Sequence, residues 1–350
     1  MKKFLSALLV ICIAFSIVGC STNDTAENQE KNPTESENST ESPIEAAKEE
    51  GNGKYPLTIE TYNYKKENIE VTFEEKPKRV VTVYQNCIET LLALGVEDVI
   101  VGAAGLDHDV KDEYKEAFDT INYYEKGMTK EEVMALEPDF IISWSSYFGE
   151  KKLGDVDFWH DRGINTYIMN NSGIRADRKL EHEYTDILNL GKIFDKEDEA
   201  QQIVDEIKAE VAKGKKFAKG KEPVKALVLQ SRKDGTFRNY GQDSVGGDLI
   251  TELGADLVVK ESGNVTAEEI ASLNPDVIFT VYYSYYEASV EYDDAINRLK
   301  DHKGLSSVNA VKKDRIFPIK LGEVYCSGVR TMDGVKTMLK GLYPHEYEGQ

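Results

Sequence analysis

The chain of 350 residues is poor in the side chains from which metal and nucleophile sites are assembled, with four cysteines and five histidines. The histidines (His108, His160, His182, His302 and His345) stand singly, so the converging His and carboxylate set of a zinc or manganese carrier is not in view. There is no G-x-x-x-x-G-K-S/T phosphate loop, no G-x-S-x-G nucleophile elbow and no H-E-x-x-H helix. These absences argue against an enzyme, and any work that needs ATP would fall to a separate ATPase. Basic charge is scarce as well. With 43 Lys and Arg against 63 Asp and Glu the net charge is −20, which sets aside nucleic acid and anionic lipid as partners.

What is present begins with Lys2 and Lys3, an apolar run from Phe4 to Val18, and then Gly19-Cys20. That run is shorter than the roughly 20 apolar residues a membrane span takes, so residues 1–19 read as a secretory signal peptide. Ile17-Val18-Gly19-Cys20 looks like a lipobox, in which the Cys20 thiol is diacylated and becomes the new N-terminus. The expected location is the outer face of the cytoplasmic membrane, with the lipid on Cys20 as the sole membrane contact. Residues 20–53 are mostly Ser, Thr, Asn, Glu, Pro and Gly, with nine acids against Lys31 and Lys48, the composition of a self-repelling disordered tether. With Lys2 and Lys3 included, residues 1–53 carry −5, which leaves −15 on the body from Lys54 onward. That body keeps only Cys87 and Cys326. They are expected as free thiols, since a bridge between the two halves would lock them together.

The body repeats itself, which is the strongest single clue to its architecture. Residues 128–147 read MTKEEVMALEPDFIISWSSY and residues 265–284 read VTAEEIASLNPDVIFTVYYS. In each copy a threonine (Thr129, Thr266) with a carboxylate three residues on predicts a capping box. A short helix then ends before a proline, and an apolar run too short for a helix predicts a buried strand. A second echo pairs residues 89–95 with residues 248–254, each a helix closed by glycine. Strands precede both, at Arg79–Val83 and Val224–Gln230. Strand and helix alternate, so the expected fold class is α/β, two Rossmann-like lobes with mainly parallel sheets. The expected boundaries are 54–178 for the first lobe, 179–219 for a long backbone helix joining the lobes, and 220–350 for the second lobe.

The segments PKRVVTVYQNCIETLLALG (residues 77–95), LEPDFIISW (136–144), VGGDLITELGA (245–255), LNPDVIF (273–279) and GVRTMDGVKTMLKGLYP (328–344) span nearly the whole body. Their order resembles the class III, helical-backbone periplasmic binding proteins that carry ferric siderophores, haem or cobalamin to ABC importers. The resemblance implies a monomer that holds a small-molecule metal chelate between its lobes, with no resident cofactor, and delivers it to a permease with its own ATPase. A ferric siderophore is the expected cargo; haem or cobalamin are the alternatives within the family, and a lipid-anchored hydrolase is the alternative outside it. Whether protein atoms touch the metal stays open. Ligands of open α/β sheets gather beyond the carboxyl ends of the strands. That rule nominates Tyr84, Gln85, Asn86, the stretch Leu106–His108, Trp144, Tyr147, Asn170 and Arg175 in the first half. In the second half it nominates Arg232, Arg238, Tyr240, Tyr282, Tyr283, Tyr285 and Tyr325. Tyrosine rings suit the flat faces of a chelate, and guanidinium forks suit its carboxylate or catecholate oxygens. Docking in the family uses one acid on each lobe against permease arginines, for which Glu89 is the first-lobe candidate and Asp248 or Glu252 the second.

Overall fold

A computed structural model describes residues 54–283 and 292–349. Cys20, the tether and Tyr285 lie outside the described residues. The first element is an antiparallel hairpin, β1 (Leu57–Tyr62) with β2 (Asn68–Phe73). A five-stranded sheet follows, built from β3 (Val80–Val83), β4 (Ile100–Ala104), β5 (Tyr123–Tyr124), β6 (Phe140–Ser143) and β7 (Asn165–Ile168). Its order is β5-β4-β3-β6-β7 and every pairing is parallel. Chain order therefore reverses between β3 and β6, which places a crevice at their carboxyl ends. All four residues of β3 and of β6 are buried, as befits strands covered on both faces.

The second sheet has β8 (Lys225–Ser231), β9 (Phe237–Asn239), β10 (Asp256–Leu257), β11 (Gly263–Val265), β12 (Val277–Tyr282) and β13 (Ile316–Lys320). The order is β11-β9-β8-β12-β13, with β10 also pairing β8. Its parallel part is β10, β8, β12 and β13, whereas β9 folds back on β8 as a hairpin and β11 pairs antiparallel with β9. Here the crevice falls between β8 and β12.

Eight helices of six or more residues lie among the described residues: α1 (Gln85–Ala93), α2 (Lys130–Ala135), α3 (Leu180–Ile193), α4 (Glu197–Ala218), α5 (Val245–Glu252), α6 (Ala267–Leu273), α7 (Tyr292–Lys300) and α8 (Thr331–Leu342). The internal repeat is visible in atomic detail. Thr129 accepts from the Glu132 amide and Thr266 from the Glu269 amide, and each glutamate carboxylate accepts from its threonine amide in return. Glu137 and Asn274, each just before the proline, both take φ +47, the left-handed turn that ends a helix.

The expected single helix over residues 179–219 is instead two helices. Between α3 and α4 the chain turns at Asp195, with φ +58, and the Lys196 amide donates back to the Gly191 carbonyl at 2.7 Å. Gly191 permits this turn, since a Cβ there would stand 2.4 Å from the Ala200 Cβ. α4 then packs on α8 and α5, and α3 packs on α5 and on the segment Gly328–Arg330. No helix among the described residues is long and apolar enough to cross a membrane.

Candidate functional site

The two crevices supply the chemistry. Directly after β3, Tyr84 adopts φ 82 and ψ 153, a conformation nearly reserved for glycine that costs about 1–3 kcal/mol in other residues. It is held by its amide, which donates to the Ala104 carbonyl at 2.9 Å. Gly105 stands beside it, where a Cβ would come within 3.4 Å of the Tyr84 ring and amide. The strained turn aims the Tyr84 ring at the end of β6, where it stacks on Trp144 with centroids 4.2 Å apart and planes 19° from parallel. Trp144 in turn meets Tyr325, from the segment after β13, edge to face at 5.4 Å. A ladder of three rings thus runs from the first lobe into the second.

Polar groups fix the ladder. Trp144 Nε1 donates to Asn86 Oδ1 at 2.6 Å, and Asn86 Nδ2 donates to Cys326 Sγ at 3.3 Å. Asn86, expected as a ligand contact, is buried and serves as a clamp between the lobes. Both Cys87 and Cys326 are free buried thiols, and burial pushes both well above the usual thiol range. At the outer end of the ladder Lys152 Nζ donates to the Tyr84 hydroxyl at 3.2 Å and lies 4.8 Å from the Tyr147 ring. Beside these groups opens a cavity of about 560 Å³, lined by Tyr84, Gly105, Leu106, Tyr123, Tyr147 and Lys152 among others.

On the second-lobe side Arg178 lies over the Tyr325 ring at 5.2 Å and donates to the Tyr325 hydroxyl at 3.4 Å and to the Asp243 carbonyl at 3.2 Å. Arg238 lies over Tyr240 at 5.6 Å. Tyr240 is buried, and burial pushes its phenol up to about 12. Tyr282 meets His108 across the lobes, ring centroids 5.8 Å apart. Burial, then the charges of Lys320 and Arg330, push His108 down to about 3, so its imidazole is neutral at physiological pH. Among the described residues no three His, Cys, Asp or Glu side chains converge as a metal site.

Several other nominated residues are held by hydrogen bonds within the protein. Gln85 is buried, and its Oε1 accepts from the Asp107 and His108 amides at 3.0 and 3.1 Å, which shapes the loop after β4. Tyr147 ties its hydroxyl to the Met128 backbone while its ring lines the cavity. Asn170 donates from its side chain and amide to Asp186 and accepts from the Tyr62 hydroxyl. Arg175 donates to Tyr62 and pairs with Asp177 at 3.4 Å. Arg232 donates to Asn264 at 3.2 Å, and Tyr283 is half-buried at the end of the described strand segment.

The docking assignment for Glu89 is overturned by burial. Glu89 is 0% exposed and grips Arg330 through both oxygens, at 2.5 and 2.7 Å, while accepting from the Lys111 amide at 3.0 Å. It faces the second lobe because the buried face of α1 packs on the segment Gly328–Arg330, so no oxygen points outward. Asp248 accepts from the Leu180 amide at 2.9 Å at the start of α3, and Glu252 pairs with Lys215 at 2.7 Å.

Five positions at or beside the candidate site escaped sequence reasoning: Lys152, Arg178, Arg330 and the buried pair Glu183 and Asp186 on α3. In that pair Glu183 accepts from the Ser327 and Gly328 amides at 2.9 and 2.7 Å and from Asn171 at 2.8 Å. Asp186 is pushed up to about 8 by burial first and by the charge of Glu183 second. Arg178 had one available signal, since it follows Arg175 in the same post-strand loop; the others had none.

Comparison with known proteins follows the same architecture. The family model described as periplasmic binding protein matches residues 80–321. The ABC transporter substrate-binding lipoprotein YvrC of Bacillus subtilis strain 168 is 24% identical over 300 residues, covering 84% of this chain and 88% of that protein. The petrobactin-binding protein YclQ of the same organism is 27% identical over 268 residues, covering 73% and 78% respectively. Among solved structures, a periplasmic binding protein from Veillonella parvula DSM 2008 superposes with a TM-score of 0.77 at 33% identity, over 84% of this chain and 94% of that one.

Proposed function

The chain belongs to the periplasmic binding protein family and is the substrate-binding component of an ABC transporter, not an enzyme; on that premise we propose that it captures a ferric siderophore between its lobes. The cargo then passes to a permease while Cys20, as a lipid anchor, keeps the carrier at the outer face of the cytoplasmic membrane. The observation that carries this reading is the ladder Tyr84–Trp144–Tyr325, which lines both crevices with aromatic faces suited to a flat chelate. A relative named for binding petrobactin supports a siderophore as the cargo, and a relative named as a lipoprotein supports the anchor.

With Glu89 buried, the transporter-facing acids are better sought in the repeat itself. α2 and α6 run back against the strands that follow them, so their first turns sit at the carboxyl ends of the sheets, on the cleft side of each lobe. Glu131 and Glu268 are exposed there at matching positions, and the capping boxes occupy Glu132 and Glu269. In this reading Glu131 and Glu268 meet the permease arginines.

The test is fluorescence titration of the mature chain with ferric catecholate, ferric hydroxamate, haemin and cobalamin. Of the two tryptophans, Trp159 is buried within the first lobe and Trp144 stands in the ladder. Saturable quenching by a ferric chelate at submicromolar concentration, lost in Trp144→Phe, is the expected result. A new Soret band with haemin and silence from the ferric chelates would overturn it.

A further inference from the structure

Basic side chains border the cleft of a chain that is otherwise strongly acidic, and the cavity beside the ladder is lined by Lys126 and Lys152 against one acid, Glu125. Lys152, Arg178, Arg232 and Arg238 border the two crevices, and among the described residues none of the four forms a salt bridge with a carboxylate. Three of them rest on aromatic rings instead: Lys152 on Tyr84 and Tyr147, Arg178 on Tyr325, Arg238 on Tyr240. The chain carries 20 more acids than bases, so carboxylates are abundant as partners, yet among the described residues none is paired with these cations. Acids near this cluster in sequence are engaged elsewhere: Asp177 pairs with Arg175 at 3.4 Å, Asp234 accepts from the Thr236 amide and hydroxyl, and Asp243 accepts from the Ser262 amide and hydroxyl. A ring face orients a cation but does not neutralise it, which leaves donors directed at an incoming acceptor.

We infer that the cleft selects a ferric chelate of net negative charge, a tris-catecholate or a carboxylate-rich one, over a neutral tris-hydroxamate, with Lys152, Arg178 and Arg238 setting that selection. The inference rests on the siderophore reading above and narrows it. Three catecholates leave ferric iron with a net triple negative charge, whereas three hydroxamates cancel the charge of the metal. Both present flat, partly apolar flanks to the ring ladder, so the rings contribute to either. The cations discriminate. They stand at both ends of the ladder, Lys152 in the first lobe and Arg178 with Arg238 on the second-lobe side, so an anionic chelate lying along the rings is met from both ends. The long-range repulsion of the acidic body does not reverse this preference, because charges beyond about 8 Å are screened at physiological ionic strength.

The mature chain is titrated with ferric tris-catecholate and with a neutral ferric tris-hydroxamate of similar size. The same pair is then run on Lys152→Gln, Arg178→Gln and Arg238→Gln. Lys192→Gln, on the exposed face of α3, controls for net charge. The expected result is tighter binding of the catecholate by tenfold or more in the parent chain. Each cleft variant should lose about tenfold in catecholate affinity, about 1.4 kcal/mol, while hydroxamate affinity and the control stay within about twofold, well under that 1.4 kcal/mol step. Equal or tighter binding of the hydroxamate overturns the charge selection and leaves the siderophore reading intact. Binding of haemin or cobalamin with neither ferric chelate overturns both. A preserved catecholate preference in all three variants overturns the assignment of the residues.

Discussion

Replacing Arg330 by methionine removes one half of an ion pair that joins the two lobes. Arg330 is 2% exposed and Glu89 0%, and water cannot replace the lost guanidinium. The Glu89 carboxylate would keep only the Lys111 amide as a donor, and the Asp109 carbonyl would lose the second contact that Arg330 makes, at 2.7 Å. Breaking a buried pair from one side costs about 3–5 kcal/mol. For a body of roughly 300 residues, at about 2.1 cal/mol/K of unfolding entropy per residue, a loss of about 4 kcal/mol lowers Tm by about 6 °C. The double variant Glu89→Leu with Arg330→Met removes both charges, and its Tm should return most of the way to that of the parent, because neither group is then stranded. Calorimetry on the four members of this cycle, with ligand titration beside it, measures the coupling. A Tm within 1 °C of the parent for Arg330→Met or Glu89→Leu, together with reduced uptake in cells, would refute the lock and restore Glu89 as a surface that meets the permease.

Asp186 governs a pH dependence of definite sign. Its folded value of about 8 stands above the ordinary 3.8, so the folded chain keeps a proton that the unfolded chain releases. That contribution is complete below 3.8 and is lost as pH rises through about 8. Glu323, pushed up to about 7 by burial and then by Asp333, acts in the same direction. Tm should therefore fall less between pH 4 and 8 in Asp186→Asn than in the parent, and an unchanged slope in thermal melts across that window would count against a proton on Asp186. Glu131→Ala and Glu268→Ala should leave the melt within about 1 kcal/mol, the scale of a first-turn carboxylate on a helix, and leave ligand affinity unchanged. Uptake by cells should drop in each and further in the double variant; normal uptake in the double variant would remove both from docking.

Much of the fold was legible because its signals are local. The capping boxes at Thr129 and Thr266 need only a threonine and a glutamate three residues apart, and both formed. The buried strands β6 and β12 follow from apolar runs bounded by proline, and Tyr84 and Trp144 were placed at the site because strand ends in such sheets open on a crevice. Where one local pattern admits two outcomes, the neighbours chose. The polar periodicity of residues 179–219 suits one helix or two, and the close approach of Gly191 to Ala200 settled it as two. Asn86 and Gln85 have the chemistry of ligand contacts, but the lobes close over them.

By itself the sequence determined the alternation of strand and helix, the duplication of the lobe unit and the acidic body, since each is read from local patterns, from their recurrence along the chain or from composition, and none needs to know which distant segments meet. Tertiary structure alone decided that Glu89 meets Arg330, 241 residues away, that Glu183 reaches across to the Ser327 and Gly328 amides, and that Lys152 and Arg178 stand at the two ends of the ring ladder. A carboxylate on a helix is written identically whether it faces water or another lobe. The packing of a distant segment against it determines its dielectric surroundings, its partner and its role.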